Sequence, residues 1–591
     1  MGSAAAKRLA QWFAKAWPYV LLVLVLFAGG ALLAWRYRDD LRSPRALYHE
    51  AQTATPQRAA QLYDLLAEKV PELEEYWRLW AAEQRLPAYG AVVALNDVAR
   101  YRPDSLAAYQ AHLSLARYYA SIESPQMVAE YKAALALDDV VAVRLELARY
   151  LEEQNALAGA YQQYLQMLGR ERPDAFAEMR RTGPDVLTVA RDLLSRQYCR
   201  DALDVLRDAR GGQAHCLRAE ALSCLGRDKE AAAEQQACGE SPQGKGGGGS
   251  QGTGETEPLS EEQRLLASSD PIDWWKATWD MDLQGRITEV VPIYLNIAER
   301  KVFASDDAAY RALILARRAN DHEIEEKALA LLQSMQPNWL AWRATGELAL
   351  HLAPPFPDSA VGLLTGQVLR KVAALESLGR ADLAYQELRF TGRTSETPEI
   401  LFKMAVELAR RGHVAPAYSL AAPYLIDHPF APREFWQLAY PQVYGSDVTL
   451  RAEAYHVPRE LIWAVMRQES AFVPEAVSSA GARGLMQVMP ATLEELNQLL
   501  NTRYAPGDAF RPGPNIRVCA RYLAQMLEHY HGDTDLALMA YNAGPGNVDQ
   551  WQELPVSKDR DDLLRFVPYG ETREYLERVS LDALIYRELY R

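Results

Sequence analysis

HVPRELIWAVMRQESAF, His456 to Phe472, places a carboxylic acid where apolar side chains belong. Pro458 suits the first turn of a helix, where its missing N–H leaves no hydrogen bond unmade. Ile462, Val465, Met466 and Glu469 then recur at i, i+3, i+4 and i+7, which is one helical face. Glu469 therefore belongs to the apolar side. A carboxylate there loses hydration, so its pKa rises. A carboxyl that keeps its proton near neutral pH can act as a general acid. Read on this helix alone, Glu469 could equally pair with an arginine or cap the next turn.

Outward from this helix, VSSAGARGLMQVMP, Val477 to Pro490, reads as an irregular segment that returns to helix at Pro490. Gly481 and Gly484 permit tight backbone near a ligand. Gln487 offers both a donor and an acceptor. DLALMAYNAGPG, Asp535 to Gly546, reads as a helix stopped at Gly544, with Pro545 behind it. Tyr541 and Asn542 are the polar groups at its end. Taken singly, Gln487, Tyr541 and Asn542 are more often structural than functional.

Four segments in order change that balance: Glu469-Ser470, Gly484-Leu485-Met486-Gln487, Ala540-Tyr541-Asn542-Ala543-Gly544, and Pro568-Tyr569-Gly570-Glu571-Thr572-Arg573-Glu574-Tyr575. Together they resemble the lytic transglycosylase family, in its membrane-anchored or periplasmic soluble-type branch, over about Phe435 to Arg591. The resemblance implies a lysozyme-like α+β catalytic domain acting on peptidoglycan glycan strands, with Glu469 as the catalytic residue. It implies that Ser478, Met486, Gln487, Met489, Tyr541, Asn542 and Glu571 line the sugar cleft or support the glutamate. Tyr569-Gly570 before Glu-Thr-Arg departs from the family pattern, which affects a loop and not the acid.

The mechanism implied by the family needs one carboxyl group where ordinary glycosidases use two. Glu469 would protonate the oxygen between N-acetylmuramic acid and N-acetylglucosamine, then accept the proton of the muramic C6 hydroxyl as that hydroxyl closes a 1,6-anhydro ring. The attack is intramolecular, so no water has to be positioned. Two other readings stand beside it. One is a hydrolase of the goose-lysozyme or chitinase type on the same fold, which would leave reducing ends. The other is a non-catalytic glycan-binding scaffold.

The rest of the chain is expected to be mainly all-α. At 591 residues it exceeds a single core. We expect a short cytoplasmic tail at 1–16, a transmembrane anchor at 17–36 and a tetratricopeptide-like α-solenoid at 37–240. A Gly-rich linker at 241–258, a second helical repeat array at 259–440 and the catalytic domain at 441–591 follow. The anchor rests on the uncharged run from Trp17 to Trp35, about the ~20 residues that cross a bilayer, with a cleaved signal peptide as the competing reading. With the peptidoglycan substrate that the resemblance implies, which lies outside the membrane, it predicts a single-pass inner-membrane protein with its bulk in the periplasm. The solenoid rests on Asp104, Asp138 and Asp174, spaced near ~34 residues; its repeats offer a surface to a cell-envelope protein partner. Trp274, Trp275 and Trp279 offer either sugar stacking or, more commonly, core packing.

A formal charge of −14, with no long basic cluster, argues against a nucleic-acid partner. No zinc or phosphate-loop signature is present, so no cofactor or metal is expected. Cys199, Cys216, Cys224 and Cys238 lie close in sequence and allow three disulfide pairings or none, while Cys519 stands apart.

Overall fold

The computed structural model describes residues 42–591 apart from 88, 169–174, 197, 225–227, 239–264, 267–270, 302–303, 336, 357–361 and 479. The chain forms two compact units, one of Met1–Tyr150 with Asp358–Glu396, the other of Leu151–Pro357 with Thr397–Arg591.

In the first unit, each helix from Pro44–Thr53 through Gln126–Leu137 packs on its sequence neighbour, and Ala381–Thr394 returns to pack against Leu106–Ser121. The return is pinned by polar groups as well as apolar ones. Tyr76 donates to buried Glu387 at 2.6 Å, and Lys371 pairs with both Glu387 and Glu75. Arg393 pairs with Asp138, one of the three regularly spaced aspartates.

The second unit has a hydrophobic core that continues from Trp275 to Leu589. Charged pairs stitch its helices together. Buried Arg311 binds Asp282 at 2.7 Å and Asp562 at 2.6 Å, and Arg343 binds Asp535 at 2.8 Å. Disulfides join Cys199 to Cys224 and Cys216 to Cys238, while Cys519 is a buried free thiol.

The last part of this unit carries helices α1 (Gly445–Tyr455), α2 (Arg459–Ser470), α3 (Pro490–Leu499), α4 (Pro512–His529), α5 (Thr534–Ala543), α6 (Pro545–Gln552), α7 (Arg560–Phe566) and α8 (Gly570–Leu589). Local chemistry sets their ends. Pro458 is the cap residue just before α2, one position earlier than the first-turn placement read from sequence. Ala471 adopts a left-handed conformation (φ 50°) and closes α2 through a 3.1 Å bond from its N–H to the Arg467 carbonyl. Asp533 caps α5 by accepting from the Leu536 N–H. Gly544, at φ 86°, ends α5 and hands the chain to Pro545 at the start of α6.

Two expectations are corrected. The last domain is not α+β: among its described residues only isolated bridges occur, Val477 with Arg483 and Arg483 with Val488. The segment between α2 and α3 turns twice within a dozen residues, too tightly for strands to extend. The transmembrane expectation finds no support: among the described residues no helix is long and apolar enough to cross a membrane, and the run at 17–36 lies outside the described residues.

Candidate active site

α2 and α8 bring Glu469 and Tyr575 together. The Tyr575 hydroxyl donates to Glu469 Oε1 at 2.8 Å. Tyr575 is buried and Glu469 partly so. Burial pushes the Glu469 carboxyl from its ordinary 4.5 up to about 7, the Tyr575 hydrogen bond pulls it back, and the negative charge of Glu571 pushes it further up. The apolar-face reading of α2 thus has a measurable consequence: a carboxyl that is near half-protonated at neutral pH.

The loop from Val477 to Met489 packs against the end of α2. Ser470 donates to the Leu485 carbonyl at 2.7 Å. Asn515 on α4 is the loop's anchor. Its Oδ1 accepts from the Met486 N–H at 2.9 Å, and its Nδ2 donates to the carbonyls of Arg483 at 3.0 Å and Ala509 at 2.9 Å. Gly484 passes over this amide at φ 80°, a conformation and a closeness that only glycine accepts.

Of the residues expected to form the site, Glu571 and Tyr541 face Glu469, and several others act on the loop itself. Met486 has its side chain in the core; its contribution is its carbonyl, which accepts from the Tyr541 hydroxyl at 2.9 Å. Gln487, at φ 53°, donates its amide to the Ala476 and Gly484 carbonyls. Ser478 Oγ accepts from the Ala482 N–H at 3.0 Å. Met489 is 40% exposed and Glu571 stands exposed at the start of α8. Asn542 Oδ1 accepts from Thr572 Oγ at 2.7 Å, tying α5 to α8.

The Cys519 thiol donates to Asn515 Oδ1 at 3.8 Å, and burial pushes it up to about 12. Among the described residues no group of three or more His, Cys, Asp or Glu side chains could hold a metal ion.

Sequence reasoning assigned no role to Tyr575, Asn515 or Thr572. Tyr575 had a signal, since it lies one helical turn beyond Glu571. Asn515 had one too, as an amide in an otherwise apolar helical stripe. The tryptophans are packing residues: Arg565 lies 4.0 Å over Trp275 and 4.7 Å over Trp279, Trp279 meets Phe566 edge-on, and Arg300 covers Trp274 at 4.3 Å.

Residues 448–564 match the family model described as Transglycosylase SLT domain. The chain carries a transglycosylase SLT domain. The match holds Glu469, Gln487, Tyr541 and Asn542; Glu571 and Tyr575 lie just past it, so α8 closes the SLT domain from outside the matched range. The soluble lytic murein transglycosylase of Salmonella typhimurium is 29% identical over 295 residues, 47% of this chain and 43% of the relative. That of Escherichia coli K12 is 28% identical over 295 residues, with the same coverage. A transglycosylase of Enterobacteria phage PRD1 is 37% identical over 95 residues, 16% of this chain and 32% of the relative. The match thus spans less than half the length of these curated relatives.

Two solved structures share the fold. An inactive glutamate-to-glutamine mutant of lytic transglycosylase Slt from Pseudomonas aeruginosa aligns with TM-score 0.58 at 18% identity, over 92% of this chain and 97% of that one. The 70 kDa soluble lytic transglycosylase of Escherichia coli aligns with TM-score 0.52 at 16% identity, over 93% and 97%. The single-pass inner-membrane placement is corrected here: no described helix is fit to span a bilayer, and the bacterial relatives above are named soluble.

Proposed function

We propose that this chain cleaves the bond between N-acetylmuramic acid and N-acetylglucosamine in peptidoglycan strands, forming 1,6-anhydro ends, with Glu469 as acid and then base. The observation that carries this reading is the half-buried Glu469 carboxyl, raised to about 7 and held by Tyr575. A group with that proton affinity gives and takes a proton with similar ease near neutrality, which a two-step role on one carboxyl requires. The proton goes first to the leaving oxygen. The C6 hydroxyl then attacks the anomeric carbon and returns its proton to Glu469.

The supporting residues follow from the same geometry. Glu571 favours the protonated acid through its charge and is not a nucleophile. Tyr541 fixes the Met486 carbonyl beside the glutamate, Ser478 and Gln487 hold the loop in shape, Asn542 joins α5 to α8, and Met489 offers an apolar surface to a sugar ring. The names of the SLT-domain relatives support this substrate class.

Mass spectrometry of fragments released from purified sacculi tests the reaction type. Anhydro-muramyl ends are expected. Reducing ends would replace this reading with a hydrolase, and no release at all would favour a binding scaffold.

A further inference from the structure

The bond between Tyr575 and Glu469 joins α8 to α2, but a single hydrogen bond fixes neither the slide nor the rotation of two packed helices. A second contact between the same helices does. Arg467 Nη1 donates to both oxygens of Asp582, at 2.7 Å and 2.9 Å. Arg467 and Glu469 are two residues apart, so they leave α2 about 200° from each other. Both nevertheless end on α8, at positions about two turns apart. α2 therefore grips α8 from both flanks.

The grip is braced by residues that precede α1. Arg467 Nε donates to the Ala439 carbonyl at 3.1 Å, its guanidinium lies 4.3 Å over the Tyr440 ring and 5.3 Å over Tyr418, and the Tyr440 hydroxyl donates to Asp582 at 3.1 Å. Asp582 is 3% exposed. An ion pair so enclosed is a poor device for stability, since burial removes the hydration of both charges, but it is a strict device for register.

We propose that Arg467 and Asp582 are a positioning pair that holds the Tyr575 hydroxyl on Glu469, tuning the proton affinity of the glutamate without touching it. This rests on the reading of Glu469 as the proton carrier. The groups that face Glu469 are Tyr575 and Glu571 from α8, Cys519 from α4 and Tyr541 from α5. Those that face Asp582 are Arg467 from α2, Tyr440 and Tyr418 from the segments before α1, and Arg578 and Tyr586 along α8. None of the second set bears on Glu469 except through the helices, so the two ends are linked by position.

The test is a titration of Glu469 in the full chain without substrate. Infrared difference spectra against Glu469→Gln isolate its protonated carboxyl band. Asp582→Asn is expected to free Tyr575 and move the midpoint above that of the wild type, as Tyr575→Phe does. In the Tyr575→Phe background, Asp582→Asn should move it no further. Arg467→Lys, which keeps the charge, should fall between wild type and Asp582→Asn; it also serves as the comparison should Asp582→Asn not fold. An unmoved midpoint in both variants, or an equal shift with and without Tyr575, overturns the proposal. Because no substrate is used, a wrong functional assignment leaves this result readable; sacculus products judge that assignment separately.

Discussion

A Cβ placed on Gly484 would lie 2.5 Å from Asn515 Nδ2 and 2.0 Å from the Ala509 carbonyl oxygen. With φ at 80°, position 484 excludes side chains on both steric and conformational grounds. Gly484→Ala should lose about 3 kcal/mol, combining left-handed backbone strain with overpacking. Gly481, at φ 88° with nothing within 4 Å of its Cβ position, separates the two effects. Gly481→Ala should cost about 1 kcal/mol. Urea unfolding of both variants checks this, and equal losses would show that the contact with Asn515 is not the source.

Asn515 satisfies two backbone groups of that loop, the Met486 N–H and the Arg483 carbonyl, and ties them to the Ala509 carbonyl. Asn515→Ala should cost about 3 kcal/mol, because groups left buried without partners bear their desolvation cost. Activity on sacculi should fall with it, since the Met486 carbonyl that receives Tyr541 belongs to that loop. A variant of wild-type stability would mean that the loop does not depend on this amide.

The raised pKa of Glu469 is also a statement about stability. The folded protein holds this proton up to about pH 7, the unfolded chain only to about 4.5. The stabilising contribution is therefore complete below pH 4.5 and is lost as pH rises through 7. At about 1.4 kcal/mol per pH unit, the loss amounts to about 3 kcal/mol. Glu469→Gln, which resembles the protonated acid, should match the wild type at pH 4 and exceed its stability by that amount at pH 8. Parallel stability curves across this window would contradict the burial of the carboxyl.

The disulfide pattern makes a separate prediction. Denatured, unreduced protein should titrate with one thiol, Cys519, against five after reduction. Peptide mapping should recover Cys199 linked to Cys224 and Cys216 linked to Cys238. Five free thiols, or a Cys199–Cys216 peptide, would contradict the arrangement.

The helical character and Glu469 were legible because both follow from periodicity: an acid in register with Ile462, Val465 and Met466 has to lie on the packed face. The loop was legible as a loop but not as α rather than α+β, since the isolated bridges at Arg483 depend on where Asn515 draws the backbone. Tyr575 stood in the fourth segment, but its pairing with Glu469 was not legible, because it arrives from more than a hundred residues away and nothing local in α2 selects it. Arg467 looked like any charged residue beside an acid until Asp582 was found facing it. The disulfides required the fold, because close spacing of Cys199, Cys216, Cys224 and Cys238 ranks no pairing. For Trp274, Trp275 and Trp279 the choice between sugar stacking and the commoner core packing turns on Arg565 and Arg300, which the local sequence does not place beside them.

Glu469→Gln, assayed on purified sacculi at neutral pH, tests the central claim most directly. The variant should fold as the wild type does, be at least as stable above pH 7, and release no anhydro-muropeptides above background. A folded Glu469→Gln protein that releases them at the wild-type rate would show that the proton travels through another group.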